Sequence, residues 1–174
     1  NEAKLRRGEW AQRGDRGEFL FGKTVGLVGL GRVGSHVARR LVNWDVRLLA
    51  ADPYVSAERA RSLGATLVDL PTLLAESDVV SLHASLTDET RNLIGEKALR
   101  AMKPTAILVN TARGEIADEE AIARALTEGW IAGAALDAFT REPLPAASPL
   151  RDVDPERLIL TPHNVSHSEA GRRA

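Results

Sequence analysis

The stretch Thr24-Val-Gly-Leu-Val-Gly-Leu-Gly-Arg-Val-Gly34 decides the fold of this 174-residue chain. Its first half, Thr24–Leu30, is a largely apolar run, as expected of a buried strand. Three glycines at the spacing G-x-G-x-x-G close the stretch; they are Gly29, Gly31 and Gly34. Apolar side chains recur at helical spacing at Val33, Val37, Leu41 and Trp44. The stretch therefore predicts a strand, a tight turn and a helix with one buried face, in immediate succession.

Outward from this stretch, short apolar runs alternate with helical patterns, which predicts a parallel sheet with crossover helices. The predicted strands are Thr24–Leu30, Val46–Ala51, Thr66–Val68, Asp78–His83, Ala106–Asn110, Ile131–Ala138 and Leu158–Thr161. The predicted helical pieces after the first helix are Ser56–Leu63, Pro71–Ala75, Thr87 or Asp88 to Met102, and Asp118 to Gly129. The fold class is therefore α/β: a doubly wound, mostly parallel sheet of about seven strands with helices on both faces.

In this strand–turn–helix context the three glycines match the fingerprint of a dinucleotide-binding, Rossmann-type domain. The first glycine allows the tight turn, the second lets the backbone approach a pyrophosphate, and the third allows close helix packing. The helix amino terminus at Arg32 and Val33 offers free N–H groups and a positive dipole to the phosphates. An isolated match would equally fit a glycine-rich turn without a ligand. No Lys-Ser or Lys-Thr follows, which excludes a triphosphate P-loop.

Asp52 ends the second predicted strand, directly before Pro53. A carboxylate at this place accepts hydrogen bonds from the adenosine ribose hydroxyls and repels a 2′-phosphate, so the sequence predicts NAD rather than NADP. Arg47 and Arg59 lie nearby but do not directly follow Asp52, and they weaken this prediction only slightly. The alternative is an ordinary turn aspartate.

The composition excludes several classes of function. The formal net charge of −1 gives no electrostatic case for a nucleic-acid partner. No apolar run approaches the ~18 residues of a membrane helix, so no membrane partner is expected. The absence of cysteine excludes disulfides, thiol nucleophiles and cysteine-based zinc sites. We expect a cytoplasmic location by default.

Three further motifs follow in order: Asn110-Thr-Ala-Arg113-Gly, Asp137-Ala-Phe-Thr-Arg-Glu142-Pro and Thr161-Pro-His163. Together with the glycine loop they resemble the NAD-dependent D-2-hydroxyacid dehydrogenases, which include phosphoglycerate, glycerate and D-lactate dehydrogenases. The resemblance runs from about Gly22 to the end. It implies hydride transfer between NAD(H) and a D-2-hydroxy acid/2-oxo acid pair. It also implies that residues 22–174 form the cofactor domain and that the substrate domain lies outside this chain. The chain alone is therefore not expected to catalyse the reaction.

The resemblance implies three catalytic residues. Arg113 matches the family arginine that binds the substrate carboxylate, His163 matches the acid/base histidine, and Glu142 matches the carboxylate that hydrogen-bonds the histidine. The residue chemistry agrees, because arginine offers a fork for a carboxylate and histidine exchanges a proton near neutral pH. The alternatives are a surface arginine, a solvated turn glutamate and a loop histidine.

On the cofactor side, the resemblance implies that Asp137 holds the nicotinamide carboxamide. Thr111, Arg113 and His163 belong to the same predicted site. His83 ends a strand where the family contacts the cofactor, although a serine stands two residues later in place of the usual proline. This departure puts only the shape of the loop in doubt.

The remaining histidines and tryptophans have simpler interpretations. His36 is interpreted as structural, and the spacing of His167 from His163 predicts no metal site, because no third ligand is evident. Trp44 and Trp130 are interpreted as core or helix-end packing. Trp10 lies in the polar segment 1–21, where a helix is predicted over Glu2–Gln12. The resemblance implies that this segment packs on a second copy of the chain in a homodimer.

Two other functions stay open at this point. Some proteins that resemble the family are NAD(H)-responsive corepressors, and they can keep the same three catalytic residues. A cofactor-binding module without activity is the third possibility.

Overall fold

Seven strands form one all-parallel sheet in the computed structural model, which describes residues 5–10 and 19–164. The strands are β1 (Thr24–Val28), β2 (Arg47–Ala51), β3 (Ala65–Leu67), β4 (Val79–Leu82), β5 (Ile107–Asn110), β6 (Gly133–Leu136) and β7 (Leu158–Leu160). Their spatial order is β3-β2-β1-β4-β5-β6-β7. The chain therefore reverses its direction of travel across the sheet between β1 and β4, at the kind of switch point where open α/β sheets bind ligands.

The described helices are α1 (Arg32–Leu41), α2 (Ala57–Ser62), α3 (Leu70–Glu76), α4 (Glu96–Ala101) and α5 (Glu119–Glu128). Two 3₁₀ turns lie at Gly114–Ile116 and Pro149–Asp152. The side chain of Asp118 caps α5 by accepting from the Ala121 N–H, and Gly129 ends α5 in the left-handed conformation with φ 74°. The predicted bounds of α5 are thereby confirmed.

Helices cover the sheet on both faces. One apolar cluster joins β1, β2 and β3 to α1 and α2; among its members are Val25, Leu27, Ala38, Leu48 and Leu63. A second joins β1, β2 and β4–β7 to α3, α4 and α5; among its members are Leu49, Leu73, Val80, Leu99, Leu108 and Ile122. Successive residues such as Leu48 and Leu49 belong to different clusters, since neighbouring side chains of a strand point to opposite faces. The doubly wound architecture is confirmed.

The helix predicted from Thr87 or Asp88 to Met102 is wrong in its first half, because only Glu96–Ala101 is α-helical. The Thr87 N–H donates to the Thr90 hydroxyl oxygen in a tight turn, and Asn92 takes a φ of 52°. Ile94 then forms a parallel bridge with Ala117. This pairing with a distant segment occupies backbone groups that a longer helix would need.

The predicted buried face of α1 is also wrong in part. The side chains of Val33 and Trp44 are each 58% exposed, whereas the buried residues of α1 are Gly34, Ser35 and Ala38. Small residues face the sheet because α1 packs close to the glycine loop. His36 is exposed on this helix, which corrects its interpretation as a structural histidine.

Trp130 is half-buried at the end of α5, as predicted, and the Arg100 guanidinium lies 3.5 Å from the centroid of its ring. Of the helix predicted over Glu2–Gln12, the described residues are helical only at Leu5 and Arg6, and Gly8, which has a φ of 78°, lies in the turn that follows. Both ends of the predicted helix lie outside the described residues. His167 also lies outside them. Among the described helices none is both long and apolar enough to cross a membrane.

Candidate cofactor and catalytic site

The predicted site residues gather at one edge of the sheet because the strands are parallel and their carboxyl ends meet there. The glycine loop follows β1, and Asp52 follows β2. The other strand ends carry His83 after β4, Arg113 after β5, Asp137 after β6 and His163 after β7. The sheet topology therefore brings together motifs that are far apart in the sequence.

The three loop glycines meet three different constraints. Gly29 has a φ of 92°, and a Cβ at this position would lie 2.7 Å from the Ala84 nitrogen. A Cβ at Gly34 would clash with the Gly29 carbonyl oxygen. A Cβ at Gly31 would meet nothing within 4 Å. The first and third glycines therefore serve the turn and the helix packing, whereas Gly31 borders open space.

The amino terminus of α1 borders this open space. Gly31 is the N-cap residue and makes no side-chain cap hydrogen bond, so in the described part of the chain the N-cap residue leaves the first backbone N–H groups of α1 uncapped. The Ser35 hydroxyl donates to the Leu30 carbonyl oxygen at 2.8 Å and ties the loop to the helix. Free amides, a helix dipole and an open glycine together fit a dinucleotide pyrophosphate.

Asp52 links the end of β2 to the glycine loop. Its Oδ2 accepts from the Leu30 N–H at 2.8 Å, and its Oδ1 accepts from the Tyr54 N–H at 2.9 Å. Each carboxylate oxygen has two lone pairs, so capacity remains for two ribose hydroxyls. The turn aspartate and the ribose ligand, weighed as alternatives, are therefore compatible roles of one side chain. Pro53 beside it is exposed.

His163 and Glu142 form a hydrogen-bonded pair. The His163 Nδ1 lies 2.8 Å from Oε1 and 2.9 Å from Oε2 of Glu142. The Phe139 N–H donates to the same Oε1 at 3.0 Å. These bonds, first from Phe139 and then from His163, hold the pKa of the Glu142 carboxyl below its ordinary value. The carboxylate therefore stays ionised, and Nε2 is the histidine nitrogen that this pair leaves for a reacting molecule.

An open cleft of about 650 Å³ adjoins this pair. Its lining includes both paired residues and apolar side chains of Phe139, Leu144 and Leu160. The pair therefore borders a space large enough for a small molecule.

Arg113 has its backbone fixed and its side chain exposed. The buried Asn110 amide donates to the Arg113 carbonyl oxygen at 2.9 Å and accepts from the Ala112 N–H at 3.1 Å. The Arg113 Nη1 donates to the Ala112 carbonyl oxygen at 2.7 Å. Asn110 is a functional residue that the sequence prediction did not include, although a signal for it is present: a polar residue ends an otherwise apolar strand.

Two comparisons by sequence place the chain in a family. The family model described as D-isomer specific 2-hydroxyacid dehydrogenase, NAD binding domain, matches residues 1–165. The chain belongs to this family. A glyoxylate reductase of Korarchaeum cryptofilum is 48% identical over 90% of this chain and 46% of its own length. A D-3-phosphoglycerate dehydrogenase of Synechocystis is 46% identical over 95% of this chain and 29% of its own length.

The fold comparison agrees. An NAD-dependent formate dehydrogenase of Staphylococcus aureus, solved in complex with NAD, superposes with a TM-score of 0.89 at 35% identity. The match covers 99% of this chain and 51% of that one. The chain thus spans about half, or less, of the length of these three relatives. NAD is the cofactor named for the family's domain.

Within this NAD-binding domain, His83 lies against the glycine loop. Its Nε2 is 3.0 Å from the Ser81 hydroxyl oxygen, and burial lowers the pKa of its ring, which favours the neutral form. A Cβ at Gly29 would meet the His83 carbonyl carbon at 2.9 Å. The half-buried Thr111 lies between β5 and Arg113. Both residues thus lie at the carboxyl edge of the sheet, beside the other predicted site residues.

Proposed function

We propose that the protein containing this domain is an NAD-dependent oxidoreductase that interconverts a D-2-hydroxy acid and its 2-oxo acid. The observation that carries this proposal is the His163–Glu142 pair, with 2.8 Å between Nδ1 and Oε1, at the same sheet edge as the glycine loop. When bound, the nicotinamide supplies or takes the hydride. The chain supplies a cradle for the cofactor, a cation for the substrate and a proton carrier.

The proposed roles follow from the chemistry of each side chain. In the reducing direction, C2 of the 2-oxo acid gains a hydride, and its oxygen gains the proton of His163 Nε2. Glu142 orients the ring through Nδ1 and stabilises the imidazolium before the proton leaves. Arg113 binds the substrate carboxylate with its guanidinium fork and draws electron density from the 2-oxo group.

Cofactor choice rests on Asp52. A 2′-phosphate would bring negative charge against a carboxylate that is already fixed by two backbone N–H groups. We therefore propose that the domain prefers NAD(H) to NADP(H). Fluorescence titration with NADH and with NADPH tests this preference, and equal affinities would contradict it.

The activity is tested on the full-length protein with NADH and a panel of 2-oxo acids, by loss of absorbance at 340 nm. Rapid turnover of any member is expected. Absence of turnover across glyoxylate, pyruvate, hydroxypyruvate and larger 2-oxo acids, with NADH bound, would instead favour a cofactor-binding module or the corepressor. No observation in the described residues favours the corepressor.

A homodimer through this domain is part of the proposal. The side chains of Trp10 and Phe19 are 82% and 87% exposed, and Phe21 and Trp44 are also exposed. A contact with a second copy of the chain would remove such large apolar side chains from water, and this supports the proposed homodimer. Light scattering of the full-length protein is expected to give a dimer, and a monomer would contradict it. The division into segment 1–21, domain 22–174 and an external substrate domain stays a prediction, as does the cytoplasmic location.

A further inference from the structure

We propose that Thr161 is a positioning residue for His163: its hydroxyl, bonded to the buried carboxylate of Asp137, fixes the turn that carries the histidine. This inference rests on the proposed function of His163. It assigns Thr161 a role that neither its residue type nor its place in the sequence indicates.

Asp137 holds the turn from both sides. Its side chain follows β6 and is 3% exposed. Its Oδ1 accepts from the Thr161 hydroxyl, two residues before His163, and from the Asn164 N–H at 3.1 Å, one residue after it. The buried Asp137 Oδ1 therefore binds both ends of the segment 161–164 that contains His163. Asp137 lies more than twenty residues earlier in the chain.

The turn needs such a restraint because His163 has an unfavourable backbone conformation. Its φ of 48° lies in the left-handed region, which residues with a Cβ rarely adopt. The His163 N–H donates to the Thr161 carbonyl oxygen at 2.9 Å across Pro162, so the turn is also tight. A residue persists in this conformation only where its surroundings determine it from several directions.

The restraint acts on the orientation of the imidazole. The side-chain bond from His163 to Glu142 is the third attachment of the turn, and Glu142 is itself held by the Phe139 N–H. If the Thr161 hydroxyl is lost, the left-handed turn loses its attachment to Asp137 on the amino-terminal side of His163, while the bond from the Asn164 N–H on the other side remains. The ring then samples other orientations, and Nε2 is aligned with the substrate oxygen for a smaller fraction of the time.

Three full-length proteins test the proposal: wild type, Thr161→Val and Thr161→Ser. Valine keeps the shape of threonine and removes the hydroxyl, whereas serine keeps the hydroxyl. We expect Thr161→Val to lower kcat about ten-fold, the effect of one lost hydrogen bond to a charged group. We expect its Kd for NADH to stay within about two-fold, and Thr161→Ser to restore kcat to within about two-fold of wild type.

The Nδ1 proton of His163, observed by NMR with 15N-labelled histidine and assigned by its loss in His163→Ala, gives a readout that needs no turnover. It should shift or broaden in Thr161→Val and return in Thr161→Ser. An unchanged signal and kcat in Thr161→Val, or a serine variant as impaired as the valine variant, would overturn the proposal. If wild type reduces no 2-oxo acid, the proposed function fails, while the NMR comparison still decides the positioning role. Thr161→Ala replaces the valine variant if valine prevents folding.

Discussion

Replacing Gly114 by alanine should force apart the two loops that carry Arg113 and Glu142. A Cβ at position 114 would lie 2.5 Å from the Phe139 Cα and closer still to the Phe139 carbonyl carbon and the Thr140 nitrogen. All three are backbone atoms, so no rotation of a side chain relieves the overlap. Carbon atoms in contact sit about 3.5–4.0 Å apart, so the loops must separate by at least about 1 Å.

The expected destabilisation follows from this overlap. Inserting a methyl group into a well-packed contact costs about 1–3 kcal/mol. For a domain of this size each kcal/mol lowers Tm by about 2–4 °C, which predicts a fall of about 2–12 °C. The moved segment also carries the Phe139 N–H that binds Glu142 and the Thr140 N–H that binds the Glu119 carboxylate. We therefore expect kcat to fall together with Tm.

Thermal melting followed by circular dichroism measures the first effect, and NADH oxidation by the full-length variant measures the second. Gly95→Ala is the matched control, because a Cβ there has its nearest neighbour, the Asn92 carbonyl oxygen, at an ordinary 3.5 Å. Gly95→Ala should leave both quantities close to wild type. A Gly114→Ala protein with wild-type Tm and kcat would show that the two loops accept the methyl group without moving apart.

Three other changes have defined outcomes. Gly31→Ala should weaken NADH binding in fluorescence titration but leave Tm unchanged, since its Cβ enters the open space proposed for the pyrophosphate; unchanged affinity would contradict that placement. Burial alone would raise the pKa of Asp78, but the Lys103 ammonium at 2.8 Å and a backbone N–H outweigh it and lower the pKa. This contribution to stability is present above the ordinary pKa of 3.8 and is lost as pH falls through the lowered pKa. Lys103→Met should therefore destabilise the fold to urea at neutral pH, with the difference from wild type shrinking in strong acid; a constant difference would argue against it. Trp130→Leu removes the ring that lies 3.5 Å from the Arg100 guanidinium and should lower the unfolding free energy in urea by about 0.5–1 kcal/mol beyond the lost apolar area. Arg100→Ala should therefore cost less in the Trp130→Leu background than in wild type, because only its exposed ion pairs, such as that with Glu96, are then lost, and equal costs would contradict the contact.

Local patterns predicted most of the fold. The apolar run Thr24–Leu30 and the glycines after it predict a strand, a tight turn and a helix from local sequence alone. Local signals also set the bounds of α5, which the Asp118 side chain caps and the left-handed Gly129 ends. The same reasoning failed at Ile94, where a bridge to Ala117 replaces the predicted helix. That bridge depends on contact between distant segments, which periodicity does not contain.

The site was predicted as a set of residues but not as a set of contacts. The resemblance supplied Arg113, Glu142 and His163, and the sheet order explains why they meet. The bond from Thr161 to Asp137 joins residues that no spacing rule connects, because it depends on the pairing of β6 with β7. A contact between residues so far apart in the sequence is visible only in the folded structure.

The proposed role of His163 as the proton carrier in an NADH-dependent reduction is tested by comparing two histidine variants. Full-length His163→Ala and His36→Ala are measured for kcat and for NADH Kd; His36 is an exposed histidine on α1 and serves as the matched control. We predict that His163→Ala lowers kcat by about 10²–10⁴-fold with NADH Kd nearly unchanged, while His36→Ala resembles wild type. Equal loss of turnover and NADH binding in His163→Ala, or loss of neither, would contradict the assignment.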